Sequence, residues 1–332
     1  MPCLLAAAIL LPSEGRSQSV AGPLEVQSIR LKEGWNAIFL RIDPVQPEPG
    51  AVFGGLPVTK VTTYFPTRTP VEYIQDPGSV SWKQVGWRAW FSPESPEAPL
   101  SDLYAIQGGQ GYLVQATTNT VLNLQGKTAA RSVRWKADSY NFVGFPVDEV
   151  APPTFAQWFA GSPAHRSTTR PTVYVLGADH RWRPVDRPES TLIQAGTAYW
   201  VYCQGGSDYQ GPLDVSMVSG VRGGGVNFGD VTEAVTVRFR NTTPVPMSFS
   251  LSLTPTNLLP VLYEQRVAAQ AERLAIPLEG TVAFGPLEPE ESRNVRLVLD
   301  RALMSRVSGS ALLNVRDDVG GWIRIPVNGN LP

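Results

Sequence analysis

Two asparagine–aspartate pairs, Asn36 with Asp43 and Asn141 with Asp148, sit in matching surroundings. The first lies in "GWNAIFLRID" and the second in "SYNFVGFPVD": an aromatic, an Asn, an alternating apolar run and an Asp. Two carboxylates can divide acid and base work in glycoside hydrolysis when they face each other across one cleft, about 5–10 Å apart. Equivalent places in two copies of a unit give no reason for that approach. The other use is structural. A side-chain amide at a strand entrance satisfies loop backbone groups, and an Asp at the exit holds a turn. Because buried polar groups must be paired, Asn36, Asn141, Asp43 and Asp148 are assigned to the frame of the fold.

Other reactive groups are sparse. His165 and His180 are the only histidines, and neither stands in a zinc-ligand spacing. Cys3 and Cys203 are the only cysteines; removal of an N-terminal leader would leave Cys203 alone, a packed thiol. There is no G-x-S-x-G elbow, and the "QGGQGY" and "VRGGGV" clusters match no phosphate-binding fingerprint. The expectation is a protein without enzymatic activity, metal or cofactor. A formal net charge of -1, with no basic stripe, argues against a nucleic-acid partner.

The aromatic side chains hold more promise. Trp82, Trp87 and Trp90 fall in "SWKQVGWRAWF" with Lys83 and Arg88 interleaved. Their segment, Gln75 to Pro99, has no counterpart in the second copy of the unit. A loop carrying aromatics outside a shared core can stack on sugars or anchor a protein partner, which makes Trp82, Trp87, Trp90 and Arg88 the candidate binding residues. The competing expectation is that the segment folds back and buries them.

The elements that position these residues come from a tandem duplication. "SIRLK" at Ser28 matches "SVRWK" at Ser132, and "IQGGQGYLVQ" at Ile106 matches "IQAGTAYWVY" at Ile193, which makes Tyr112 and Tyr199 equivalent frame residues. Ile38, Leu40 and Ile42 alternate along one strand, as do Val143, Phe145 and Val147. Thr172–Asp186 reads as a hairpin, and "TFAQWFAG" as a short helix from an N-cap at Thr154 to a stop at Gly161. After a "SGVRGGG" connector, alternation resumes in Val235, Val237, Phe239 and again in Phe249, Leu251, Leu253, with Asn241-Thr-Thr-Pro as the turn. That Asn heads a formal glycosylation sequon. Val261 to Leu274 favours helix by composition. The fold class is therefore all-β: two related small antiparallel domains, then an immunoglobulin-like sandwich with a helical insert. The boundaries are a signal peptide at 1–22, units at 23–127 and 128–218, a linker at 219–225 and the sandwich at 226–332.

Phe228-Gly229, Asn241, the phrase from Leu287 to Ser292 and the closing phrase from Ile325 to Gly329 carry a resemblance to ASPM–SPD-2–Hydin-type Ig-like domains. It implies a spacer or interaction module. The duplicated units are similar to "GWN…GYWV" β-rich units of large secreted bacterial proteins, a resemblance that implies no activity. The apolar run from Cys3 to Leu11, followed by Ser17-Gln18-Ser19, reads as a secretory signal, although no Lys or Arg precedes it. No later stretch is long and apolar enough to span a membrane. The sequence thus points to a secreted or cell-surface bacterial protein with a structural or adhesive role. Its partner would be another protein, a second copy or a polysaccharide. The alternatives are a carbohydrate-binding protein using the Trp82–Trp90 loop, or a non-catalytic portion of a larger secreted enzyme.

Overall fold

The duplication read from the sequence recurs as topology. A computed structural model describes residues 22–167, 169–218, 225–255, 259–266 and 273–332. The signal peptide and the linker lie outside the described residues, apart from Gly22 and Gly225. The first unit contains β1 (Leu24–Leu31), β2 (Gly34–Leu40), β3 (Ile42–Pro44), β4 (Val58–Tyr64), β5 (Trp87–Phe91), β6 (Gln110–Ala116) and β7 (Thr120–Thr128), with α1 (Pro49–Phe53) between β3 and β4. The second contains β8 (Ser139–Val143), β9 (Val173–Leu176), β10 (Trp182–Pro184) and β11 (Tyr199–Cys203), with α2 (Phe155–Trp158) between β8 and β9. One sheet runs β2-β6-β4-β5 and the other, read from its equivalent edge, β8-β11-β9-β10. Register agrees as well as order. Asn36 stands opposite Val114 and Ile38 opposite Tyr112, just as Asn141 stands opposite Val201 and Val143 opposite Tyr199.

Pairing also corrects the reading of the segment Gln75 to Pro99. Trp87 opposes Tyr64 on β4 as Trp182 opposes Leu176 on β9, so β5 is the counterpart of β10. What the first unit adds is the loop 65–86, where the second has only the turn 177–181. That loop reaches across to the second unit. Tyr140 donates its backbone N–H to the Val71 carbonyl at 2.8 Å, and Trp182 donates to Asp76 at 3.0 Å. In the other direction the twin of β1, Ser132 to Lys136, is not a strand. β1 is held by pairing with β7 in a separate sheet, β1-β7-β3.

Strand alternation gives each unit two apolar faces. Ile38, Leu40, Val61, Tyr112 and Val114 fill the core of the first unit, and Phe145, Phe155, Val173, Tyr199 and Val201 that of the second. The opposite faces meet in a shared aromatic core. Trp200 is its hub, with ring centroids 4.9 Å from Phe142, 5.5 Å from Tyr64, 6.1 Å from Trp87 and 6.4 Å from Trp182. Such pairs contribute roughly 0.5–1.5 kcal/mol each beyond the area they bury. Gly144 is required here, because a Cβ at that position would lie 2.2 Å from Phe39 Cγ.

The third unit is a sandwich of two five-stranded sheets. Its strands are β12 (Leu213–Met217), β13 (Val226–Asn227), β14 (Ala234–Asn241), β15 (Met247–Thr254), β16 (Val261–Arg266), β17 (Arg273–Pro277), β18 (Thr281–Leu287), β19 (Ser292–Leu299), β20 (Ser308–Asp317) and β21 (Trp322–Asn330). They run β12-β14-β19-β16-β17 in one sheet and β13-β21-β20-β15-β18 in the other. The alternating residues of β14 and β15 face each other across the core, Phe239 stacking on Phe249 at 4.6 Å. The Asn241 turn therefore crosses between sheets and closes no hairpin. Asn241, which heads the sequon, is fully buried. Leu213–Met217, placed in the second unit by the sequence, pairs with β14 as an edge of the sandwich.

The helix expected over Val261 to Leu274 is not present at either described end. Val261 and Tyr263 alternate into the core and β16 pairs with β19, so burial at period 2 overrides the helix propensity of Glu264 and Gln265. The short helices lie elsewhere. Thr154 is the N-cap of α2, as the sequence suggested, and Gln157 completes a capping box with it, but the C-cap is Phe159. Gly161 serves instead as a contact point, where a Cβ would meet the Thr242 carbonyl of the sandwich at 1.8 Å.

Candidate functional site

The repeated polar residues are hydrogen-bonded twice in the same way. Asn36 Oδ1 accepts from Lys32 N at 2.8 Å, while its Nδ2 donates to the carbonyls of Lys32 and Gly34. Asn141 repeats this with Lys136 and Ser139. Each amide closes the loop that leads into its strand. Tyr112 Oη accepts from Gln107 N at 2.7 Å and Tyr199 Oη from Gln194 N at 2.9 Å. Burial pushes both phenols up to about 12. Tyr112→Phe and Tyr199→Phe are expected to lower unfolding free energy by about 1–2 kcal/mol each, equally in the two copies. Urea denaturation of the two variants checks this, and a neutral result at either tyrosine would remove that copy from the scheme.

The aspartates are engaged separately. Asp43 accepts from Gly108 N at 2.9 Å within the first unit and pairs at 2.9 Å with Arg131, just beyond β7. Asp148 accepts from Val150 N at 2.8 Å through one oxygen and from Arg316 of the sandwich at 2.5 Å through the other. The second copy of the Asp has thus been diverted from its own unit to the third.

That ion pair belongs to a cluster where all three units meet. Glu25 on β1 accepts from Arg41 at 2.9 Å, from Thr128 at 2.5 Å and from Arg324 on β21 at 2.9 Å. The guanidinium groups of Arg324 and Arg316 lie over the Trp322 ring, 3.6 and 4.3 Å from its centroid. Desolvation lowers Arg324 to about 10, which leaves it charged at neutral pH. Backbone bonds reinforce the joint, Trp322 N donating to the Pro146 carbonyl at 2.8 Å and Asp148 N to the Gly320 carbonyl at 2.9 Å.

The tryptophans assigned to ligand contact turn inward. Trp87 and Trp90 are each 8% exposed, in the shared aromatic core and the first unit's core respectively. Trp82 is half-buried, 5.3 Å from Trp35 and 5.1 Å from Trp87. Arg88 is exposed and pairs with Asp102 at 3.2 Å. The segment does fold back, because β5 completes a sheet and its apolar side chains follow the strand into both cores.

The histidines are structural. His180 sits in the β9–β10 turn at φ 60° and places Nδ1 3.2 Å from both the N and the O of Trp35, latching one unit to the other. His165 is buried, its Nδ1 2.6 Å from Ser162 Oγ, and its ring lies 4.1 Å from Trp135 and 4.9 Å from Phe159. Burial lowers its pKa to about 4. Cys203 is buried, which pushes its thiol up to about 11.

A groove of about 2510 Å³ is walled by all three units. Eight Arg and Lys side chains line it against four carboxylates. Among them are Arg30 and Arg134, which are the third residues of the duplicated "SIRLK" and "SVRWK" phrases. Both are exposed. The duplication was the signal that could have found them, but the phrases were read only as markers of the repeat.

No family model and no curated protein matches the chain. Among solved structures, similarity is found to the ASH / PapD-like domain 7 of human CEP192, at 12% identity over 36% of this chain and 85% of that one, with a TM-score of 0.22. A FixG-related protein from Vibrio parahaemolyticus is similar at 14% identity over 36% and 96%, with a TM-score of 0.23. The MSCRAMM ACE of Enterococcus faecalis is similar at 8% identity over 92% and 90%, with a TM-score of 0.20. The Ig-like description of the third unit rests on its own strand pairing.

Proposed function

We propose that the chain is a non-catalytic interaction module of a secreted or cell-surface bacterial assembly, and that it engages its partner in the groove between the three units. The groove itself carries this reading. Three β units are joined by ion pairs and close backbone contacts around a concavity large enough for an extended molecule. Arg41, Arg131, Arg240 and Arg324 in its lining are held in ion pairs, which suits a rigid binding surface. The export signal at 1–22, the ASPM–SPD-2–Hydin type of the sandwich and the kinship of the duplicated units to secreted "GWN…GYWV" proteins belong to the same reading. No helix among the described residues is long and apolar enough to cross a membrane.

The test is retention on isolated bacterial cell envelopes, compared with a Ser132→Trp variant that fills the groove from an exposed position. The native protein is expected in the pelleted fraction and the variant in the supernatant. A native protein that stays in solution would overturn the proposal, as would equal retention of the two. Export is checked by fusing residues 1–40 to a leaderless alkaline phosphatase, with activity expected outside the cytoplasm.

A further inference from the structure

The groove has a composition the rest of the chain lacks. The protein is close to neutral overall, at -1, yet cations in the groove outnumber carboxylates by two to one. Low-dielectric walls on several sides focus such a field and raise the local concentration of anions. Half of these cations serve the structure, Arg41 and Arg324 on Glu25, Arg131 on Asp43 and Arg240 beside Asp214. Arg30 and Arg134 are in no ion pair among the described residues, and both point from exposed positions of the lining.

The lining also repeats. Arg30 and Arg134 are equivalent by the duplication, and each follows two residues after a serine, Ser28 and Ser132, that lines the same groove. Gln107 and Gln194, the twin residues whose backbone the frame tyrosines hold, are exposed and line it too. Two copies of one polar set therefore face a single cavity: a cation, a hydroxyl and an amide. A guanidinium takes a carboxylate in two parallel hydrogen bonds, while hydroxyl and amide groups exchange hydrogen bonds with sugar hydroxyls.

We infer that the groove binds a carboxylated polysaccharide, with Arg30 and Arg134 each taking a carboxylate of the polymer and the paired Ser and Gln side chains taking its hydroxyls. This rests on the groove being the binding surface proposed above, and names its ligand. A uronate polymer repeats one carboxylate among several hydroxyls at regular intervals, which is what a duplicated cation–hydroxyl–amide lining matches. An acidic polypeptide supplies carboxylates but meets the hydroxyl and amide positions with backbone N–H and C=O groups in place of hydroxyls.

The experiment titrates the full chain with polygalacturonate, with dextran as the neutral polymer and poly-L-glutamate as the acidic polypeptide. Polygalacturonate is expected to bind and dextran not to. Arg30→Ala and Arg134→Ala should each weaken binding on the order of tenfold, the cost of one charge-assisted contact, while Arg306→Ala on the exposed sandwich surface should leave it unchanged. Raising salt should weaken binding in the native protein more than in the double variant. Both arginines are exposed, so melting temperatures should match and separate lost binding from lost folding. Equal binding of dextran would overturn the inference, as would polygalacturonate binding indifferent to both arginines. Tighter binding of poly-L-glutamate would overturn the polysaccharide assignment and leave the groove standing. If none of the three polymers binds, the inference fails; envelope retention sensitive to Ser132→Trp would then show that the interaction reading survives it.

Discussion

Replacing Glu25 with Ala is expected to destabilise the protein by about 3–5 kcal/mol, the range for removing one partner of a buried ion pair. Glu25 and Arg324 have side chains only 14% and 12% exposed, and the carboxylate is shared by Arg41, Thr128 and Arg324. Its loss strands two guanidinium groups, one of them already desolvated enough to lie well below the usual arginine range. Arg324→Ala should cost a similar amount by stranding Glu25. The double variant should cost clearly less than the two singles together, since it leaves no uncompensated partner across the joint. An apolar pair of similar length, Glu25→Met with Arg324→Met, should recover most of the loss, because desolvating the charges opposes their attraction. Denaturation of the native protein and the four variants measures this. Additive single effects would show that the two residues act apart and that other contacts hold the joint.

The contrast between that cluster and the repeated frame shows what a sequence discloses. Asn36 and Asn141, Tyr112 and Tyr199 were legible because each acts within a few residues of itself, on Lys32 or Lys136, Gln107 or Gln194. Local chemistry of this kind leaves a spacing, and duplication displays the spacing twice. Glu25 and Arg324 lie 299 positions apart, and no periodicity connects them. Trp87 was misplaced for a related reason. The loop 65–86 separates it from its partner strand, so the phrase in which it sits has no aligned twin, although Tyr64 and Leu176 fix its equivalence to Trp182. The helix assigned to Val261–Leu274 gives way to strand at its two described ends because composition carries less weight than pairing with a neighbouring strand. Asp148 shows the limit of the repeat itself: its place was inherited, whereas its arginine was acquired from the third unit.

Acidification should expose His165. Its folded-state pKa, near 4, lies below the ordinary value of 6.5, so between those pH values the unfolded chain holds a proton that the folded protein does not. Unfolding free energy therefore rises with pH across this window; the contribution is fully present above about 6.5 and is lost as pH falls toward about 4, amounting to about 3 kcal/mol. The cause is plain in the packing. Trp135, Phe159 and Tyr209 surround the ring, Ser162 takes Nδ1, and Nε2 has no hydrogen-bond partner among the described residues, so nothing offsets desolvation of an imidazolium. His165→Phe keeps the stacked ring and removes the titration. It should cost about 1 kcal/mol at pH 7.5 through the lost Ser162 contact, and should be the more stable of the two proteins at pH 4. Both carry the same carboxylates, so the difference between their urea midpoints isolates the histidine. Curves that run parallel from pH 7.5 to 4 would show that His165 takes up its proton as readily in the folded protein as in the unfolded chain. Trp135, 4.1 Å away, supplies a fluorescence signal for the same event.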